Sequence, residues 1–256
     1  LGDHQILLDN LVNHLESLKE SDLISIHSLL LQTMERESNE ENVHIFVQLL
    51  LSFLNKKLLK KSNSKESTTL ILIGSLSLIS SKLELIIQSC SSSNHSVLNI
   101  LQSLKSCLSE IYWCFDQYSL ETTLSLVGKI TKCVEQVPLP EKTYVLLTQV
   151  MSYTLLYHRF RLSSRHHLIM SICISLLEPL SLKRKLTFPN DLSSSIEAAS
   201  AYSRLLGNLC EPSNKESTSN NMNGTLNSSS ALIKRSLRKH LPVLLVNFIY
   251  LSLTSN

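Results

Sequence analysis

The stretch Leu155-Leu-Tyr-His-Arg-Phe-Arg-Leu-Ser-Ser-Arg-His-His-Leu-Ile-Met170 sets three arginines and three histidines within the ten residues His158 to His167. An apolar run, Leu155 and Leu156, leads into it, and another, Leu168 to Leu180, leads out. Burying an unpaired cation is costly. A charged knot between two apolar helical runs is therefore expected to be a corner between helices, its charges paired or in solvent. Two further basic clusters follow, Lys183-Arg184-Lys185 and Lys234-Arg235 through Arg238-Lys239-His240.

On both sides of this corner leucine dominates, in long runs between short polar breaks. The chain has 256 residues, of which only 5 are glycine and 6 proline, while 43% are hydrophobic. Too few turn residues are present for a β-sandwich or barrel, and enough apolar residues for a sizeable core. The fold class is all-α.

Taken in order, Asp3 caps a first helix with Leu7, Leu11, Leu15 and Leu18 on one face. Ser21-Asp22 starts a second, with Ile26, Leu29, Leu30 and Met34 inward. After the acidic break Glu35–Glu41, a third runs from Asn42 to about Lys60, with Phe46, Leu50, Phe53 and Leu54 as its stripe and Lys56, Lys57, Lys60 and Lys61 toward its C-terminus, where the helix dipole favours cations. Ser62–Ser67 reads as a polar linker. A fourth helix, about Thr68–Gln88, is apolar nearly all round and so expected to be central. Cys90–Ser96 is a second polar break. A fifth helix covers Val97–Phe115, and Ser119 caps a sixth that ends near Val137, before Pro138-Leu-Pro140. Glu141–Tyr157 is a seventh, and Ser163 or Ser164 caps the eighth, His166–Leu177. Lys183–Asp191 reads as a basic loop, Ile196–Leu209 as a ninth helix, and Glu211–Ser230, rich in Ser, Asn and Thr, as a disordered loop. A tenth helix resumes near Ala231, kinked or restarted at Pro242. About ten helices joined by short breaks suggest an irregular HEAT/armadillo-like helical repeat, although no clean repeat period is present. The expectation is a single α-helical domain over 1–256, subdivision into 1–138 and 139–256 remaining open. The start at Leu1 and the end in mid-pattern at Asn256 read as a piece of a longer chain.

The net charge of +3 is unevenly spread. Residues 1–138 carry 11 Lys and Arg against 15 Asp and Glu, whereas 139–256 carry 13 against 6. A basic half suits a polyanion such as RNA, or an acidic protein surface; a solvated mixed surface is the plainer alternative. Cys90, Cys107, Cys114, Cys133, Cys173 and Cys210 form no C-x-x-C pair. Cys107 and Cys114 lie about 10 Å apart by helical rise, too far for a disulfide. All six read as reduced, buried cysteines of an intracellular protein. Leu70–Ile87 comes closest to a membrane span but carries Lys82, Glu84 and several serines, so it reads as a core helix.

There is no glycine-rich phosphate loop, no nucleophile elbow and no H-E-x-x-H. His166 and His167 are adjacent, so on a helix they point about 100° apart and suit one metal poorly. One is expected in solvent and one packed. Aromatic residues are 5%, and no base-stacking platform is visible. Contacts of the basic half with RNA would then be to phosphate. The alternative is structural: Arg159, Arg161 and Arg165 cap helix ends or pair with Glu141 and Glu178. The candidate partner-binding residues are Arg159, Arg161, Arg165, His166, Lys183, Arg184, Lys185, Lys234, Arg235, Arg238 and Lys239.

Three runs occur in order: His158-Arg-Phe-Arg-Leu-Ser-Ser-Arg-His-His-Leu-Ile169, Tyr202-Ser-Arg-Leu-Leu-Gly-Asn-Leu-Cys-Glu-Pro212, and Arg238-Lys-His-Leu-Pro-Val-Leu-Leu-Val-Asn-Phe-Ile-Tyr-Leu251. Together they resemble the C-terminal domain of the Urb/Npa nucleolar pre-ribosomal-associated proteins, in the Urb2/Npa2 branch. The resemblance is sharpest over 155–256 and extends diffusely from about residue 50. Ser164 stands where the family often has glycine, which leaves the tightness of that corner open. The resemblance implies a nucleolar scaffold in early large-subunit (60S) assembly and pre-rRNA processing, with no activity and no cofactor. Its implied partners are a DEAD-box helicase and other pre-60S assembly factors, with pre-rRNA backbone as a further contact and neither membrane nor small-molecule substrate. It also implies that the domain continues past Asn256. Two other readings stand beside it: a HEAT-like adaptor in transport or trafficking that binds only proteins, and an enzyme with a helical fold.

Overall fold

The structure is a computed structural model that describes residues 17–54, 64–88, 93–136 and 141–177, with isolated positions 10, 14, 15, 200, 201, 203–205, 207, 208 and 242. Among the described residues the regular structure is entirely helical. The helices are α1 (Glu20–Arg36), α2 (Glu40–Phe53), α3 (Lys65–Gln88), α4 (Ser93–Glu110), α5 (Gln117–Gln136), α6 (Glu141–His158) and α7 (His166–Leu177). Two 3₁₀ turns, Tyr112–Cys114 and Arg159–Arg165, stand between α4 and α5 and between α6 and α7. The chain forms two compact units, Leu1–Leu126 and Val127–Asn256, divided within α5.

In the first unit α3 is the central element, packing against α1, α2 and α4. Its inward residues Leu72, Leu76, Ile79, Leu83 and Ile86 are each 0–1% exposed. Each such side chain contributes roughly 1.5–3 kcal/mol of burial. Residues Lys65–Ile87 are long and apolar enough to cross a membrane, yet half of the qualifying stretch is buried inside the fold. That is how a core helix achieves the same composition.

Polar cross-links fix the register of these helices. Lys82 of α3 donates to the carbonyl oxygens of Glu35 (2.9 Å) and Glu37 (2.7 Å), satisfying acceptors at the C-terminal end of α1. The Glu37 carboxylate in turn accepts from the Ser38 and Asn39 amides at 2.9 and 2.8 Å and from Asn42 Nδ2 at 2.9 Å. These bonds, the Asn39 amide first, with Lys82 adding its charge, hold its pKa below the ordinary carboxylate value. Between α2 and α4, His44 Nδ1 lies 2.7 Å from Ser96 Oγ, and Asn99 Nδ2 donates to Gln48 Oε1 at 3.2 Å. The buried Cys107 thiol points at the Leu54 carbonyl, 3.4 Å away.

Several boundaries differ from the sequence reading. Helix α3 starts at Lys65 and α4 at Ser93, inside segments expected to be polar breaks. Ser64 accepts the Ser67 amide (3.4 Å), so serines that look like linker act as a cap and first turn. Helix α2 stops at Phe53 rather than Lys60. The Leu54 amide there is shared between the Leu50 and Leu51 carbonyls, the tightening typical of a helix end. Helix α4 stops at Glu110 rather than Phe115, and the chain turns through Tyr112–Cys114. Asp116, not Ser119, is the cap of α5. Its Oδ1 accepts the Ser119 amide at 2.7 Å, while Ser119 Oγ accepts the Asp116 amide at 2.9 Å, a reciprocal capping box.

The inward face of α1 is also rotated from expectation. Ile26 and Leu29 are 39% and 65% exposed, whereas Leu23, His27 and Met34 are buried. The stripe is spaced at 3.6 residues but runs through a histidine. The expected first, ninth and tenth helices have no described bounds; Asn10, His14, Leu15, Ser200, Ala201, Ser203, Arg204, Leu205, Gly207, Asn208 and Pro242 are individually helical. Residues 211–230 lie outside the described residues.

Candidate functional site at a basic helical corner

In the second unit α6 is buried on nearly every side from Thr143 to Thr148 and again at Val150, Met151, Ser152, Thr154 and Leu155. It contacts α7 and the 3₁₀ turn that joins them. From α5, Gly128 faces Ile172 of α7: a Cβ at Gly128 would lie 3.5 Å from Ile172 Cδ1. Asn208, in the second of the three runs quoted above, donates from Nδ2 to the Ser152 carbonyl at 3.0 Å and to Ser152 Oγ at 2.7 Å. That bond ties Asn208 to the middle of α6.

The corner is the 3₁₀ turn Arg159–Arg165. Two buried groups anchor it. Leu162 is fully buried within the turn, and His158, the last residue of α6, is 3% exposed. Burial first, and the Arg161 charge with it, lower the His158 pKa to about 4. His158 is thus a neutral core histidine at physiological pH. Arg161, Arg165 and His167 are exposed on this scaffold. Among the described residues none has a positive φ, so Ser164 occupies the corner without left-handed strain.

Arg159 lies in the same turn and His166 opens α7, but their side chains are outside the described set, so the split expected between His166 and His167 is seen only at the exposed His167. Lys183, Arg184, Lys185, Lys234, Arg235, Arg238 and Lys239 lie outside the described residues. The backbone places Arg159, Arg161 and Arg165 in one turn, with His166 next to it at the start of α7. The proposed pairings of these arginines with Glu141 and Glu178 involve side chains outside the described set.

Two features of the corner were not read from the sequence. No Asp or Glu occurs from Lys142 to Leu177, so between Glu141 and Glu178 the only charged residues of α6, the turn and α7 are basic. A count of acidic residues across the helix pair would have found this. Tyr153 and Tyr157, one turn apart on α6, stack with parallel rings, 4° between planes and 6.3 Å between centroids. Their i, i+4 spacing was the available signal.

Cys107 and Cys173 are buried, and burial pushes both thiols up to about 12; the Cys114 thiol is raised for the same first cause. All three are free thiols and unreactive as placed. Cys90, Cys133 and Cys210 have no described side chains. Among the described residues no group of three or more His, Cys, Asp and Glu is arranged to hold a metal ion.

The Urb2/Npa2 family model matches residues 98–256, beginning later than the diffuse leucine pattern near residue 50 had suggested. No curated protein and no solved structure matches the chain. The matched segment spans more than half of the 256 residues and contains the 3₁₀ corner, the Asn208 bond and all three runs quoted above. The chain belongs to the Urb2/Npa2 family, whose role is in ribosome biogenesis and pre-rRNA processing.

Proposed function

We propose that this chain is a non-enzymatic nucleolar scaffold of early 60S assembly, an irregular HEAT/armadillo-like helical repeat that docks assembly factors and touches pre-rRNA. The observation that carries this reading is the corner. Arg161 and Arg165 are exposed on a turn pinned by the buried Leu162 and His158, in a stretch free of carboxylates, inside the family-matched segment. Exposed cations on a turn fixed by buried groups suit a polyanion, because counterion release rewards each phosphate they neutralise. The partners of this reading are a DEAD-box helicase and other pre-60S scaffold proteins, with Lys183, Arg184, Lys185, Lys234, Arg235, Arg238 and Lys239 as further candidate contacts.

The test is sedimentation of the tagged protein from its own cells through a gradient, beside an Arg161→Gln, Arg165→Gln variant. Co-migration with early pre-60S particles, reduced by the substitutions at unchanged protein level, is expected. Migration free of pre-ribosomes, or with cytoplasmic transport complexes, contradicts the reading and favours a protein-only adaptor.

A further inference from the structure

We propose that the Tyr112–Trp113 turn of the first unit docks a lysine- or arginine-rich segment of a partner protein, one cationic side chain lying on the exposed indole among the carboxylates that flank the turn. This goes beyond the proposed function. It concerns another site, and it holds whether or not the corner at 159–165 meets RNA.

Trp113 is the only tryptophan of the chain and is 49% exposed. Tyr112 beside it is 39% exposed, and the two rings meet edge to face, with centroids 5.4 Å apart and planes at 81°. Such a contact uses one edge and one face and leaves the remaining ring faces to a ligand. The backbone under them is fixed. Ile111, Cys114 and Phe115 are buried, and the Cys114 and Phe115 amides bond the Ile111 and Tyr112 carbonyls at 2.9 and 3.3 Å. Thr69 Oγ1 of α3 donates to the Cys114 carbonyl at 3.0 Å. An aromatic anchor already held in place loses little freedom when a partner covers it.

Charge selects the partner. The first unit, Leu1–Leu126, carries 14 Asp and Glu against 9 Lys and Arg, a balance of −5. Glu110 precedes the turn, Asp116 and Glu121 follow it, and no Lys or Arg occurs from Ser106 to Gly128. Asp116, three residues from Trp113, is fixed by the Ser119 amide on its Oδ1. Lys65 and Glu66, both exposed at the start of the neighbouring α3, offset each other. Tyr118, 55% exposed in the first turn of α5, adds another aromatic face. Of the aromatic side chains, tryptophan attracts a cation over its face best, and an acidic field raises the local concentration of cationic segments. RNA could stack a base on the same ring, but it would bring phosphates against these carboxylates. An apolar helix would need a stripe several turns long, whereas Glu110, Asp116 and Gln117 border this pair.

The 256-residue chain holds one tryptophan, so its emission reports on this site. The test follows that emission on titration with a peptide of alternating Arg and Gly, with the same peptide carrying Gln for Arg, and with an unstructured RNA. The Arg peptide is expected to change the emission saturably, to bind about tenfold more tightly than the Gln peptide, and to weaken as salt is raised. Anisotropy of the labelled Arg peptide reads the variants. Trp113→Leu, which keeps apolar bulk without a π-face, should weaken binding about 2- to 30-fold. Asp116→Asn with Glu121→Gln, which keeps both hydrogen-bond acceptors, should weaken it and flatten its salt dependence. Arg161→Gln with Arg165→Gln should bind the peptide as the wild type does. Wild-type affinity in the Trp113→Leu variant, with unchanged circular dichroism, overturns the proposal. Equal binding of the Arg and Gln peptides overturns the cation assignment and makes the ring pair an apolar docking surface. A change in Trp113 emission with the RNA but not with the Arg peptide overturns the protein partner and assigns the face to RNA.

Discussion

His27 Nε2 and Ser75 Oγ lie 2.9 Å apart inside the contact between α1 and α3. The imidazole also meets Phe53 of α2, with ring centroids 5.2 Å apart, so one polar side chain joins three helices. Burial lowers its pKa from 6.5 to about 4, so it folds neutral. The unfolded chain takes up a proton near pH 6.5, the folded chain only near pH 4. Between those values the unfolded state binds more protons. The stability that neutral His27 contributes is therefore complete above pH 6.5 and lost as pH falls toward 4. His158, lowered to about 4 by burial and Arg161, acts in the same direction. Urea denaturation should show a lower midpoint at pH 5 than at pH 7, His27 accounting for about 1–2 kcal/mol of the loss. His27→Gln should flatten that dependence even though it lowers stability at pH 7; an unchanged slope would show that His27 is not the titrating group.

Two helical glycines should respond oppositely to substitution. A Cβ at Gly74 would stand 2.7 Å from Leu31 Cδ1 and 3.2 Å from His27 Cε1, where α1 crosses α3. Leu31 can swing its terminal methyl aside for alanine, but Gly74→Val adds a branch beside the His27 ring and should cost about 1–3 kcal/mol. Gly128→Ala meets only ordinary contact with Ile172 and removes a helix-interior glycine. It should gain about 0.5–1 kcal/mol. Thermal denaturation of the two variants beside the wild type checks both signs.

The Asp116–Ser119 capping box predicts a third outcome. Asp116→Ala strands the Ser119 amide and removes a carboxylate from the start of α5, and should destabilise the protein by about 0.5–2 kcal/mol. Asp116→Asn keeps the acceptor and should recover most of that loss. Equal destabilisation by both would mean that charge rather than the hydrogen bond matters there.

These positions also show what was legible in the sequence. Leucine periodicity and the scarcity of glycine and proline suffice for the all-helical class, and the proline pair at 138 and 140 and the change of character at His166 for the limits of α6 and α7. Hydrophobic ranking alone prefers Ile26 and Leu29 over His27, but tertiary packing decided otherwise, because a histidine with a serine partner and an aromatic neighbour can be buried neutral. The end of α4 at Glu110 is unmarked by glycine or proline; it becomes intelligible only once Asp116 is seen to begin the next helix. At the corner the arginines stood out by charge, whereas Tyr157 did not, because aromatic content over the whole chain hides one local i, i+4 pair.

Thiol chemistry gives a fourth prediction. Cys107 and Cys173 have pKa values pushed up to about 12 by burial. At pH 8 the native protein should label at these two positions only as fast as it opens, with labelling accelerated at least tenfold in denaturant. Mass spectrometry of labelled peptides reads this residue by residue; rapid native labelling of Cys173 would contradict the packing of α7 described above.

Contact between the corner and pre-rRNA is read by an RNA crosslinking map of the protein in its own cells, beside the Arg161→Gln, Arg165→Gln variant. Crosslinks to pre-rRNA are expected to map to peptides around the 159–165 turn and to fall in a variant that still folds and still recovers assembly factors. Pre-rRNA crosslinks that are absent from the wild type, or unchanged in the variant, would contradict this contact and leave the basic corner as a feature of the fold alone.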